Sequence, residues 1–280
     1  MRVSRSCWGQ GRYMRSSPTF AIVLRQLYLI RGSFSRIFPL FCWAAVDMVL
    51  WGFLTRYLNT VASPGFNFIP ALLGAVLLWD IFIRIMQGVT MAFFEDVWSR
   101  NFLNIFAAPV SVSEYVAGLV LTSIATSVIG IAVMVFIAVG LFKLSLLVYG
   151  SMIMPYLLVL FLFGISLGIF GFGLVLRLGP ASEWFIWPIP ALISPFVGVL
   201  YPVSTLPGWM QAVSFLLPPS YVFEGLRTVV SGGAVSGSGL LYAALLAVGY
   251  ILLAYWFFVR VYKHALRTGL IARYSAESLS

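Results

Sequence analysis

Six long apolar stretches fill most of this 280-residue chain, and few charges interrupt them. About 20 apolar residues in a helix cross roughly 30 Å of hydrocarbon. No water is available there to backbone groups, so each segment must satisfy its own hydrogen bonds. The stretches cover residues 37–58, 68–91, 112–141, 146–176, 184–201 and 240–259, and Pro188, Pro190 and Pro195 break up the fifth. The expectation is an all-α integral membrane protein: six transmembrane helices, an N-terminal interfacial helix, and a re-entrant segment before the last span.

Hydrophobic residues make up 61% of the chain and charged residues 9%, with a mean hydropathy of +1.02. Soluble domains carry about 25% charged residues, so a water-soluble core is excluded. Six helices of this length leave no room for a separate globular domain. Cys7 lies in the basic N-terminal tail and Cys42 in the first span, which argues against a disulfide or a metal site. No short apolar core with a small-residue cleavage site follows Arg2, Arg5, Arg12 and Arg15, so residues 1–19 read as a retained cytoplasmic tail. Residues 20–262 form the membrane domain and 263–280 a second cytoplasmic tail.

Orientation comes from the basic residues in the loops. With both termini inside, Arg2, Arg5, Arg12, Arg15, Arg25, Arg31, Arg36, Arg100, Arg177, Arg260, Lys263, Arg267 and Arg273 fall on the cytoplasmic side. Only Arg56, Lys143 and Arg227 fall outside, and Arg84 lies within the membrane. The net charge of +9 is thus a topology signal, and no nucleic-acid-binding module accompanies it.

Three connections stand out. Residues 20–34 carry Arg25, Gln26 and Arg31 and are too polar to cross, so they should lie along the inner interface as an anchor or a partner-docking helix. Between the second and third stretches, Glu95, Asp96 and Arg100 alternate with Trp98, Phe102, Leu103 and Phe106, the pattern of a short surface helix ended by Pro109. Ser111 and Glu114 have capping-box spacing for the third helix. Residues 201–227, broken by Pro202, Pro207, Pro218 and Pro219, are too short to cross and should dip into the outer leaflet and return.

Inside the membrane, Asp80 and Arg84 share a helix face at i,i+4 spacing. Asp47 lies roughly 15 Å into the first span and Arg84 roughly 10 Å from the inner end of the second, within side-chain reach of each other. The three charges either lock the first two helices together or line a path. Gly164 and Gly168 form a small-residue pair for close helix packing, within one subunit or across a dimer. Trp184, Trp187, Trp209 and Trp256 fit interfacial anchors, and His264, the sole histidine, fits a helix end.

The run Trp98-Ser99-Arg100-Asn101-Phe102-Leu103-Asn104 followed by Ala108-Pro109-Val110-Ser111 resembles the loop between the second and third spans of type-2 ATP-binding cassette (ABC) permeases. The pattern Tyr201-Pro202, Leu206-Pro207-Gly208-Trp209, Leu217-Pro218 and Glu224-Gly225-Leu226-Arg227 is similar to the same family's signature before its last span. The resemblance covers residues 20–262. It implies the dimeric permease of an exporter in the inner cell membrane, homodimeric or heterodimeric, moving a drug, a lipid or a lipid-linked glycan. It also implies that residues 20–34 form a connecting helix. Glu95, Asp96, Trp98, Arg100, Asn101 and Phe102 would belong to a coupling helix seated in a cytoplasmic ATPase subunit. Pro207, Gly208, Trp209, Glu224 and Arg227 would lie at the outer gate. ATP and Mg belong to the partner, since neither Lys143 nor Lys263 follows a glycine and no phosphate loop occurs here. An importer-type loop is also missing. The competing reading is a proton-coupled transporter using Asp47 and Asp80 as relay groups. A membrane-embedded enzyme lacks a catalytic set or a metal cluster.

Overall fold

A computed structural model describes residues 18–61, 69–98, 105, 108, 110–179, 182–234 and 236–268. Every regular element among them is helical. Helix α1 (Pro18–Arg31) precedes α2 (Phe34–Val61). A π-helical turn, Ile69–Leu73, leads into α3 (Gly74–Trp98), which is followed by α4 (Val112–Phe142). A 3-10 stretch, Leu146–Met152, opens α5 (Ile153–Leu178). Two short helices follow, α6 (Glu183–Ile186) and α7 (Ile189–Val197), then α8 (Gly208–Ser214), α9 (Pro218–Val230) and α10 (Gly237–Thr268).

Four of these helical stretches are long and apolar enough to cross a membrane: residues 69–96, 112–142, 146–178 and 237–268. The first apolar stretch of the sequence forms the 28-residue α2, whose polarity is raised by Asp47 and Arg56. The fifth forms only α6 and α7, because Pro188 and Pro190 remove backbone donors where one long helix would need them. Helix α3 outruns its apolar stretch by seven residues, from Met91 to Trp98, and so carries Glu95 and Asp96 in its last turns. A separate surface helix therefore does not begin at Glu95.

Side-chain contacts fix the helix directions. Phe82 stacks on Phe163 with centroids 5.6 Å apart and Phe93 meets Phe172 at 4.9 Å, so α3 and α5 run parallel. Phe163 meets Tyr250 at 5.3 Å and Phe172 meets Phe258 at 5.9 Å, so α10 runs parallel to both. Helix α4 is antiparallel to α3: Tyr115 reaches Asp96, and farther along, Met134 reaches Arg84. Two consecutive long helices that run parallel require the chain between them to return, and residues 179–236 make that return.

The glycine pair of α5 brings it close to α3. A Cβ on Gly168 would stand 2.7 Å from Val89 Cβ, and one on Gly164 would stand 3.2 Å from the Phe82 carbonyl. This pair packs helices within the chain. Helices α3 and α5 form the buried centre, whereas α4 and α10 leave most of their surface outward. The α4 start carries the expected capping box: Ser111 Oγ accepts from the Glu114 N–H at 3.3 Å, and Glu114 accepts from the Ser111 N–H at 2.9 Å. At the start of α3, the Tyr149 hydroxyl donates to the Pro70 carbonyl at 2.6 Å. That contact satisfies an acceptor in the π turn, and Gly74 leaves the space that the tyrosine occupies.

Candidate functional site

Three polar clusters remain once apolar packing is accounted for, one at each end of the bundle and one between. At the first end, Asp96 is 1% exposed in the last turn of α3. Arg25 of α1 donates Nη2 to Asp96 Oδ1, and Tyr115 of α4 donates its hydroxyl to Oδ2 at 2.7 Å. One turn earlier, the buried Gln26 amide donates to the Ala92 carbonyl at 3.3 Å. A buried carboxylate must be paired or hydrogen-bonded, and here both oxygens are engaged. The three-way contact therefore fastens α1 to the junction of α3 and α4. The Tyr115 ring meets Phe93 with centroids 6.4 Å apart, which ties the contact to the apolar cluster that also holds Phe94 and Phe172.

This cluster adjoins the loop that the sequence marks as a coupling element. Glu95 and Asp96 belong to the end of α3, with Trp98 as its last residue, while Arg100, Asn101 and Phe102 lie outside the described residues. Asp96 points into the helix junction, so its carboxylate is not presented to a partner surface. Arg25, Gln26 and Tyr115 were missed by sequence reasoning because their roles depend on contacts with distant residues. The alternation of Arg25-Gln26 with apolar residues on α1 was the one available hint.

Between the ends, Arg84 Nε donates to Asp80 Oδ2 at 2.7 Å, the expected i,i+4 pair on α3. Gly130 of α4 makes room for this arginine: a Cβ there would stand 3.2 Å from Arg84 Cδ. Met134 Sδ lies 3.4 Å from Nε. Asp47 sits half-buried on α2 and makes no direct ion pair with Arg84, although the two charges still act on each other. A narrow groove lined by Met86, Gln87, Thr90, Phe94, Ile186 and Trp187 separates α3 from α6.

At the opposite end, α7 stops after two turns, and water cannot be relied on to solvate its last carbonyls in an apolar surround. Side chains take over. Tyr201 donates to the Pro195 carbonyl at 2.8 Å, and Ser214 of α8 donates to that of Phe196. Arg227 of α9 donates Nη2 to the carbonyls of Gly198 and Val199, the latter at 3.1 Å. Gly198 is left-handed (φ 66°), and a Cβ there would approach the Tyr201 carbonyl at 2.9 Å. Glu224 Oε1 accepts from Arg227 at 3.0 Å and from the Val203 N–H at 2.7 Å. Burial lowers the Arg227 guanidinium pKa, and the neighbouring Glu224 carboxylate opposes that shift. Pro207 and Gly208 start α8, and Trp209 lies 6.0 Å from the Phe196 ring with 64% of its surface exposed. The gate residues expected from sequence thus gather around the end of α7.

A protein-family model described as the ABC-2 type transporter matches residues 19–230. The chain belongs to this family. A search of curated proteins returns no match. The match begins within α1 and ends at the last residue of α9, so it encloses all three polar clusters. The protein is therefore a multi-pass membrane permease subunit of an ABC transporter. Helix α10, which follows the matched region, packs more extensively on α5 than any other pair of elements packs together.

Proposed function

We propose that this permease is the membrane subunit of an ATP-driven exporter and works as a dimer with a second permease subunit. In this reading a separate cytoplasmic ATPase binds ATP and Mg and seats on the loop after α3. The family match over residues 19–230 carries the proposal. The Asp96 cluster supports it, because a push on that loop would reach α1, α3 and α4 together.

Six crossings are favoured by the parallel run of α5 and α10, with α6 and α7 supplying the broken fifth crossing. The basic loops put both termini in the cytoplasm, in the inner cell membrane. Helix α1 then lies along the inner interface, with Phe20 and Tyr28 outward and Ile22 and Gln26 inward. Helices α8 and α9 form the re-entrant segment of the outer gate. The cargo is a drug, a lipid or a lipid-linked glycan. Against proton relay, Asp80 is already engaged by Arg84.

The test is ATP hydrolysis by the reconstituted permease and its co-purified ATPase across panels of drugs, phospholipids and lipid-linked glycans. Stimulation by one panel identifies the cargo class. Failure of any ATPase to co-purify or hydrolyse with the permease contradicts the proposal.

A further inference from the structure

Helix α10 carries an outward stripe whose chemistry changes abruptly along its length. Leu241, Leu245, Val248 and Leu252 recur at intervals of three and four residues, and each is exposed. Continued along the same face, the stripe reaches Trp256 and then Arg260, Lys263 and Arg267, all exposed. Gly237 to Trp256 spans roughly 29 Å at 1.5 Å per residue, close to one hydrocarbon thickness. Arg260 and Lys263 then stand roughly 6 and 10 Å beyond the tryptophan, at the depth of lipid headgroups.

Three further observations bear on this patch. The Arg260 guanidinium lies over the Trp256 ring, 4.8 Å from its centroid, which holds the charge at the boundary. Helix α10 has no acidic residue, and none of Arg260, Lys263 or Arg267 takes an ion pair among the described residues. The parallel helix α5 carries Arg177, which is also exposed and takes no ion pair among the described residues. Arg177 follows Phe172 by five residues as Lys263 follows Phe258, and those two rings are in contact. Arg177 and Lys263 therefore stand at about the same level, with Arg260 and Arg267 roughly 5 and 6 Å to either side of it along the helix axis.

We infer that this patch is a binding site for the phosphate headgroup of an anionic phospholipid, whose acyl chains lie along the apolar stripe of α10. Lipid is the favoured occupant because the basic face continues an apolar surface without interruption. A soluble protein partner would not match that surface. Unpaired cations beside a transmembrane helix attract anionic headgroups by about 1 kcal/mol each, or roughly fivefold in affinity. The inference rests on the membrane reading of α10 and is independent of export, cargo and ATP.

The experiment measures association of spin-labelled phosphatidylglycerol and phosphatidylcholine with the full-length permease in vesicles, with and without its ATPase. The wild type should prefer phosphatidylglycerol, and Arg260→Gln, Lys263→Gln and Arg267→Gln should each lower that preference by up to roughly fivefold. The triple Arg/Lys→Lys/Arg exchange, which keeps every charge, should retain it. Affinity for phosphatidylcholine should not change, which shows that the variants are folded. Equal affinity of the wild type for the two lipids would overturn the inference, as would an unchanged preference in the triple glutamine variant. Loss of the preference when the ATPase binds, with weakened ATPase association in the glutamine variants, would assign the patch to the protein partner instead. If phosphatidylglycerol preference persists while ATP hydrolysis is never detected, only the proposed function fails.

Discussion

At the Asp96 end of the bundle a carboxylate, a guanidinium and a phenol satisfy one another across three helices, whereas at the Glu224 end one guanidinium serves the two carbonyls just beyond a helix that stops short. The first cluster joins side chains 71 and 19 residues apart in sequence and is tied through Tyr115 to the buried Phe93. The second sits among short proline-bounded helices, with Glu224 and Arg227 only partly covered. A charge removed from the first leaves an ion buried at a three-helix junction. A charge removed from the second leaves two backbone acceptors among short helices that can rearrange locally. One end is built as a joint between three helices and the other as a locally secured cap, the contrast that the proposed function calls for.

The largest expected effect comes from Asp96→Leu, which strands Arg25. Breaking a buried pair costs about 3 to 5 kcal/mol, and the 28% exposure of the Arg25 side chain puts the cost near the low end. The unfolding midpoint of the purified permease should fall sharply, and the double variant Arg25→Met with Asp96→Leu should recover much of the loss. A double variant no better than the single one would show that the joint is not held by this pair. Next comes Arg84→Gln, which leaves Asp80 alone within the membrane at a cost of about 2.5 to 3.5 kcal/mol on insertion scales. Its folded yield should be lower than that of Asp80→Asn with Arg84→Gln, and equal yields would contradict a locking role.

Arg227→Gln sharpens the contrast between the ends. Unsatisfied acceptors cost about 1 to 3 kcal/mol, and here the loss should be local. Amide exchange should accelerate over residues 198–206 while the unfolding midpoint moves less than in Asp96→Leu. A global loss as large as that of Asp96→Leu would erase the distinction between joint and cap. The smallest effect belongs to Ser111→Ala, which removes half of an exposed capping box and should cost about 1 kcal/mol, read as a modest drop in the same midpoint.

Rules of short range made part of this architecture legible. Apolar length fixed the helical membrane class. Spacing of three and four residues anticipated the capping box at Ser111 and Glu114, the pairing of Asp80 with Arg84, and the close packing of Gly164 and Gly168. The prolines marked the break between α6 and α7. What escaped was set by partners far away in sequence. A charged residue ends an apolar window, so Glu95 and Asp96 read as the start of a surface helix. Helical backbone continues through charges when another element satisfies them, and Arg25 and Tyr115 do so for Asp96. Likewise, Glu224 and Arg227 could be associated with the outer gate, but not with the carbonyls of Gly198 and Val199, whose need for donors arises only because α7 stops there.

The central claim is that a separate ATPase drives this permease through the loop beside the Asp96 joint. Flux in proteoliposomes tests it most directly, with purified permease reconstituted alone or with its ATPase, and with ATP or a proton gradient supplied. The account predicts flux only when ATPase and ATP are both present, and little flux from Asp96→Leu reconstituted at equal folded amount. Flux driven by a proton gradient through the permease alone would contradict it.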